Sequence, residues 1–433
     1  MPARRKKPAP YRHVTMPSGL TVVLREMPHA ESASVGIWVR AGGRFEPPAI
    51  VGVSHFLEHL LFKGTRTRTC EELKRAVEGV GGSLNGFTAE EFTCYMAKLP
   101  AKHLARALAV LCDMALHPSL ASRDIDKERD VILEEIRMYD DTPGQHVHEV
   151  FNQLLWPNHP LGNLLAGSEQ SVRGLSHGVI RSYWRRFYQP RNMLIAVAGN
   201  FVADDVIAQL GRLVRPGRRE ALPRSRPAPR SPRGPLVRLL HKKTEQTHVC
   251  LGTPAIARMH PQRFAVELLH VLLGANMSSR LFHEVRERRG LVYEIGTQIK
   301  RYRDAGAFIV YAGCDAAKLT TTIRTIITEL GEIKRHPVSP RELRRAKDFY
   351  AGQLVMALED TLEHMLWMGE QAITVGGIGT PQALAEAIEQ VTPEQIQRAA
   401  SRLFTSRQLF AAIVGPVPVH QAATLQRVCA ELQ

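Results

Sequence analysis

Runs dense in β-branched residues and stripes of apolar residues at helical spacing follow one another along the chain in an order that occurs twice. "LTVVLREM" (20–27) and "ASVGIWVRAG" (33–42) predict two strands, and "LVRLLHK" (236–242) and "THVCLGTPAI" (247–256) predict two more. After each pair comes an apolar helix, then further strands and amphipathic helices. The two series end alike: "IRSYWRRFYQPRNMLIAVAGN" (180–200) and "IQRAASRLFTSRQLFAAIVGP" (396–416) align without a gap. At an offset of 216, Ile180 meets Ile396, Tyr188 meets Phe404, Asn192 meets Gln408 and Gly199 meets Gly415. A helix, a turn and an apolar strand in register over that length indicate an internal repeat. The pattern predicts an α+β protein of two homologous halves, each a largely antiparallel sheet covered by helices on one face.

Between the halves, "RPGRREALPRSRPAPRSPRGP" (215–235) is punctuated by prolines that fix φ and remove donors, so it predicts a linker. The expected organisation is a basic tail at 1–12, an N-terminal half at 13–214, the linker at 215–235 and a C-terminal half at 236–433. The net charge of +15 sits almost wholly in two segments. Residues 1–12 carry five basic side chains, and residues 212–243 carry eleven against Glu220 alone. Aromatic residues do not alternate with the basic ones there, so these segments read as solvated tail and linker, with no nucleic-acid partner. No apolar run approaches the roughly 18–20 residues of a membrane span, and the N-terminus lacks the apolar core of a secretory signal, which points to the cytoplasm. Six scattered cysteines without a CxxC pair read as reduced core thiols.

The first apolar helix changes the picture. In "GVSHFLEHLLFKGT" (52–65), His55, Glu58 and His59 fall on one helical face. Two imidazoles so placed can hold one zinc; a third protein ligand leaves a position for water, and a neighbouring carboxylate can take its proton. The plainer reading is a helix whose histidines are merely hydrogen-bonded. The second half offers a comparison: with Gly64 set against Gly274 in "FAVELLHVLLGANMSS", the three positions become Ala265, Leu268 and Leu269. One copy is plain core, and the other places three polar groups where burial without a partner is costly. A third ligand is expected on "DIDKERDVILEEIRMYDD" (124–141), where Glu128, Val131, Ile132 and Glu135 share a face.

These residues resemble the pitrilysin/insulinase family of zinc metallopeptidases, whose inverted motif HxxEH is His55 to His59 here. Length and "HFLEHLLFKGT" look most like the branch of the mitochondrial processing peptidase β subunit and its bacterial relatives. The resemblance implies one zinc per chain held by His55, His59 and Glu135, with Glu58 as general base and Glu128 in support. It implies that "GGSLNGFTAEEFTCYMAKL" (81–99) contains an edge strand on which an extended peptide adds through main-chain bonds, contacted at Asn85, Gly86 and Phe87. It carries a substrate-binding Arg and Tyr onto Arg286 and Tyr293 of "SSRLFHEVRERRGLVYEIG". Having motif and Arg/Tyr pair in one chain implies a homodimer enclosing a chamber for short or unfolded peptides. The alternatives are a non-catalytic scaffold and one subunit of a heteromeric processing peptidase. "DTLEHML" (360–366) imitates the motif with Asp360, Glu363 and His364 but lacks a downstream acid; His146 and His148, two apart, read as surface residues.

Overall fold

In a computed structural model, residues 11–217 and 221–432 are described, so most of the basic tail lies outside the described residues. The first sheet uses β1 (Arg12–Thr15), β2 (Thr21–Glu26), β3 (Ser32–Val39), β4 (Ser83–Thr88), β5 (Thr93–Pro100) and β6 (Met193–Gly199). Its order is β1-β2-β6-β3-β5-β4. The second sheet uses β7 (Leu236–His241), β8 (Thr247–Ala255), β9 (Val292–Arg301), β10 (Gly306–Cys314) and β11 (Phe410–Gly415), in the order β7-β11-β8-β10-β9. Apart from β1, one order maps onto the other. In each, a single parallel pair, β2 with β6 and β7 with β11, joins an otherwise antiparallel sheet. The four strands expected from the β-rich runs all form, and the late strands β6 and β11 insert between the members of each pair. The repeat of 216 is visible as helix His177–Phe187 followed by β6, and helix Pro393–Leu403 followed by β11.

The expectation of helices on one face only is corrected. All seven residues of β6 and all six of β11 are buried, so neither face of these strands meets water. Two compact units account for it. Of the described residues, the first contains 11–134, 165–217, 221–225 and 355–380, the second 135–164, 226–354 and 381–432. In the first, helix Thr361–Val375 lays Met365, Met368, Ala372 and Ile373 against Val23, Trp38, Leu194, Ala196 and Ala198. A Cβ on Gly36 would come within 2.5 Å of Met365 Sδ, and one on Gly369 within 2.3 Å of Trp38, so both glycines permit the close approach. In the second, helix Pro143–Leu155 lays Val147, Val150, Phe151 and Leu155 against Cys250, Ile309, Phe410, Ala412 and Val414. Each sheet thus borrows one covering helix from the other half of the sequence.

Asp360 caps its helix by accepting from Leu362 N at 2.7 Å, and buried His364 meets Tyr11 Oη at 3.1 Å, so the imitation motif is structural. All six cysteines are free, five of them buried. Among the described residues no helix is long and apolar enough to cross a membrane.

Candidate active site

The motif helix is Val53–Leu61, with Val53, Phe56, Leu57, Leu60 and Leu61 buried and His55, Glu58 and His59 half-buried on the remaining face. Its N-terminus has no capping side chain of its own. Glu46, from a preceding loop, accepts from Gly52 N at 2.7 Å and Ser54 N at 2.8 Å, bonding two amides that the helix cannot satisfy internally. Gly52 has φ +94, and a Cβ there would lie 2.6 Å from Ala166 O. Ser54 Oγ meets Tyr183 Oη at 2.7 Å. The helix is therefore fixed at its start by a buried carboxylate that no motif announces.

The acidic helix Ser122–Asp141 reaches the motif helix through Glu128. Its buried stripe is Ile125, Ile132, Leu133 and Ile136, together with Glu128. Val131, expected on that stripe, is 49% exposed, since it lies about 100° around the helix from Ile132, at the edge of the stripe. His55, His59 and Glu135 each bring a ligand atom to within 4.8 Å of the others. Burial, then the neighbouring His59, lower the His55 pKa to about 4, so its imidazole is neutral at neutral pH, as a metal ligand must be. Glu128 Oε2 lies 3.1 Å from His59 Nδ1, and Glu128 Oε1 lies 2.5 Å from Lys63 Nζ. Burial would raise the Glu128 carboxyl, but hydrogen bonds from His59 and Lys63 and the Lys63 charge outweigh it and keep the pKa below the usual range. With Glu128 ionised, His59 would carry its proton on Nδ1 and present Nε2 to a metal.

Thr88 Oγ1 donates to Glu58 Oε2 at 2.6 Å. Thr88 ends β4, the outermost strand of its sheet, so the prospective base is tethered to the edge where an extended peptide could add. Side chains alternate along β4. Gly86 has its Cβ position 3.1 Å from the Phe62 ring, next to the motif helix, while Phe87 turns to Trp38 and Phe92 with ring centroids 6.0 and 6.1 Å away. Phe87 therefore offers the edge its main chain, its ring being packed into the sheet. Asn85 Oδ1 accepts from Gly86 N at 2.8 Å. Beneath the edge, Tyr95 and Tyr188 share a hydroxyl contact of 2.7 Å; burial and then charge, including that of Glu58, push the Tyr95 hydroxyl well up.

In the second unit, Arg286 stands on a short π-helical stretch, Phe282–Arg288, and Tyr293 on the outer strand β9. The Arg286 guanidinium lies 4.7 Å from the Phe282 ring centroid and 5.6 Å from that of Tyr293, which is 75% exposed. Ala265, Leu268 and Leu269, the repeat counterparts of the motif residues, are all buried core. Sequence reasoning missed Glu46, Lys63, Thr88 and the two tyrosines. Lys63 and Thr88 lie inside the quoted motif stretches, but only the fold shows what they touch.

Residues 21–169 match the family described as insulinase (peptidase family M16), and residues 174–350 match the peptidase M16 inactive domain. An uncharacterized zinc protease of Streptomyces coelicolor is 37% identical over 96% of this chain and 91% of its own length. Another, from Mycobacterium tuberculosis strain H37Rv, is 39% identical over 94% and 93%, and one from Bacillus subtilis is 34% identical over 93% and 98%. Among solved structures, a protease from Helicobacter pylori superposes with a TM-score of 0.86 at 21% identity, covering 94% of this chain and 99% of that one. A Pseudomonas fluorescens peptidase M16 inactive domain gives 0.87 at 17% identity, covering 94% and 98%. On sequence and fold together, the chain belongs to the insulinase family, peptidase family M16.

Proposed function

We propose that the protein is a zinc-dependent endopeptidase that cuts short or unfolded peptides, working as a homodimer around a closed chamber. The observation that carries this reading is the convergence of His55, His59 and Glu135, with Glu58 beside them and bonded to the edge strand. One nitrogen from each imidazole and one carboxylate oxygen are the donor set of a catalytic zinc site with an open position. Bound there, zinc would acidify water and polarise a carbonyl.

The chain's own residues supply the rest. A peptide laid against β4 bonds to its main chain at Asn85, Gly86 and Phe87, which holds the scissile carbonyl at a fixed distance from the motif helix. Glu58 takes a proton from the attacking water and returns it to the departing amide nitrogen, and the Thr88 hydroxyl fixes the carboxylate for both transfers. Glu128 holds His59 in one tautomer. Arg286 and Tyr293 bind the substrate carbonyl and offset the charge that develops on its oxygen. The family's naming of relatives as zinc proteases supports the chemistry, and the match of residues 174–350 to an inactive domain agrees with an unmetallated second half.

The test compares wild type with Glu58→Gln on a pool of unstructured peptides, with bound metal quantified in both. Wild type is expected to cut, and the variant to keep its zinc while losing cleavage by about 10²–10⁴-fold. A zinc-loaded wild type that cuts nothing overturns the self-sufficient enzyme and turns attention to a missing partner chain or a scaffold role.

A further inference from the structure

His146 and His148, which the sequence suggests are surface residues, are both largely enclosed on helix Pro143–Leu155. His148 Nδ1 lies 3.4 Å from Cys250 Sγ, a core contact. His146 is placed differently. It faces the end of the acidic helix across the turn at Thr142, and Glu149, three residues further, shares its helical face. Asp140, His146 and Glu149 each bring one donor atom to within 4.8 Å of the others. None of the three belongs to the cluster of His55, His59 and Glu135.

Two further features suit a cation there. His146 Nδ1 is shut off from solvent and lies 3.2 Å from Asp140 Oδ1, yet the two are not aligned as hydrogen-bond donor and acceptor. Two ligands on one tetrahedral zinc, at bond lengths near 2.0–2.1 Å, stand about 3.3 Å apart, close to that spacing. The nearby cation is already engaged: Lys242 Nζ bonds the Asp140 main-chain carbonyl and stands 3.3 Å from Asp141 Oδ1, which leaves the Asp140 side chain to His146.

We infer that Asp140, His146 and Glu149 form a second metal site, separate from the candidate active site, which takes a divalent transition ion and fastens the acidic helix to the helix that follows it. One imidazole and two carboxylates suit zinc, with manganese or cobalt as chemically similar occupants. Because Asp140 lies five residues beyond Glu135 on one helix, the ion would also steady the end of the helix that carries that residue.

The test is metal stoichiometry in the full chain, stripped with a chelator and titrated with zinc, with bound metal measured after dialysis. Wild type is expected to bind two equivalents. His146→Ala and the near-isosteric Glu149→Gln should each bind one, Glu135→Gln should bind one, and the double variant Glu135→Gln/Glu149→Gln none. Cobalt substitution gives an independent reading, since the visible bands should fall to those of a single site in Glu149→Gln. A wild type that binds one equivalent, lost in Glu135→Gln and kept in Glu149→Gln, overturns the second site while leaving the first. If His146→Ala fails to fold, Glu149→Gln decides alone, and two equivalents in that variant overturn the inference.

Discussion

At the scale of single residues, the candidate site depends on which protonation states the protein enforces. To bind a metal it would need neutral imidazoles and ionised carboxylates, and burial alone would help the first and oppose the second. His55 obtains the neutral state from burial. Glu128 stays ionised because Lys63 and His59 stand on its two oxygens. Glu128→Gln keeps the size but removes the charge that fixes the His59 tautomer and answers the Lys63 ammonium. Zinc affinity should fall about 10–100-fold, measured by competition with a chromophoric chelator, while Glu135→Gln should lose more because it removes a proposed ligand itself. A Glu128→Gln affinity equal to wild type would show that Lys63 and Glu128 form only a structural ion pair. His55, Glu58 and His59 were legible because helical spacing makes three neighbours of them within five residues. Glu135 and Glu128 were legible from the acidic helix and the resemblance. Glu46, Thr88 and Lys63 were not, since each acts on a partner that only the folded chain brings near.

At the scale of elements, the motif helix is nine residues long, too short to hold its own geometry in water, and it is fixed by what surrounds it. Its apolar positions pack on one side, and Glu46 bonds two of its first amides. Glu46→Ala would leave those buried N–H groups without an acceptor, at roughly 1–3 kcal/mol each. A lower melting temperature and faster zinc loss to a chelator are expected; Glu46→Gln, which keeps one accepting oxygen, should fall between the variant and wild type. An unchanged melting temperature in Glu46→Ala would mean that the helix start opens to water instead. The strands and the repeat could be read because period-two and period-3.6 patterns are local. The exchange of helices could not. An amphipathic helix records that it covers something apolar and not which sheet, and helices Pro143–Leu155 and Thr361–Val375 each cover the sheet built mostly from the other half of the sequence. The signal that was present lay in "MLIAVAG" and "FAAIVG", too apolar for strands with one wet face.

At the scale of the whole molecule, two copies of one architecture have diverged, one keeping a polar helix face and the other filling it with Ala265, Leu268 and Leu269. The filled copy retains one histidine, His270, on helix Arg263–Leu273, with Nδ1 2.7 Å from Thr297 Oγ1. Burial, then the charge of Arg301, lower its pKa to about 4. Lying outside both groups of candidate metal ligands, it reports global stability alone. An unfolded histidine titrates near 6.5, so between about pH 6.5 and 4 the unfolded chain binds a proton that the native chain refuses. Stability from this group is therefore complete above pH 6.5 and is lost as the pH falls toward 4. Other groups shift too, Glu149 in the opposite sense, so the contribution is isolated by difference. In metal-free protein, His270→Gln retains a donor for Thr297 but cannot titrate. Between pH 7 and 5, urea denaturation should show wild type losing about 2 kcal/mol more stability than the variant. Equal losses in the two proteins would mean that the imidazole reaches solvent when protonated, and that the second half is looser around this helix than its packing indicates.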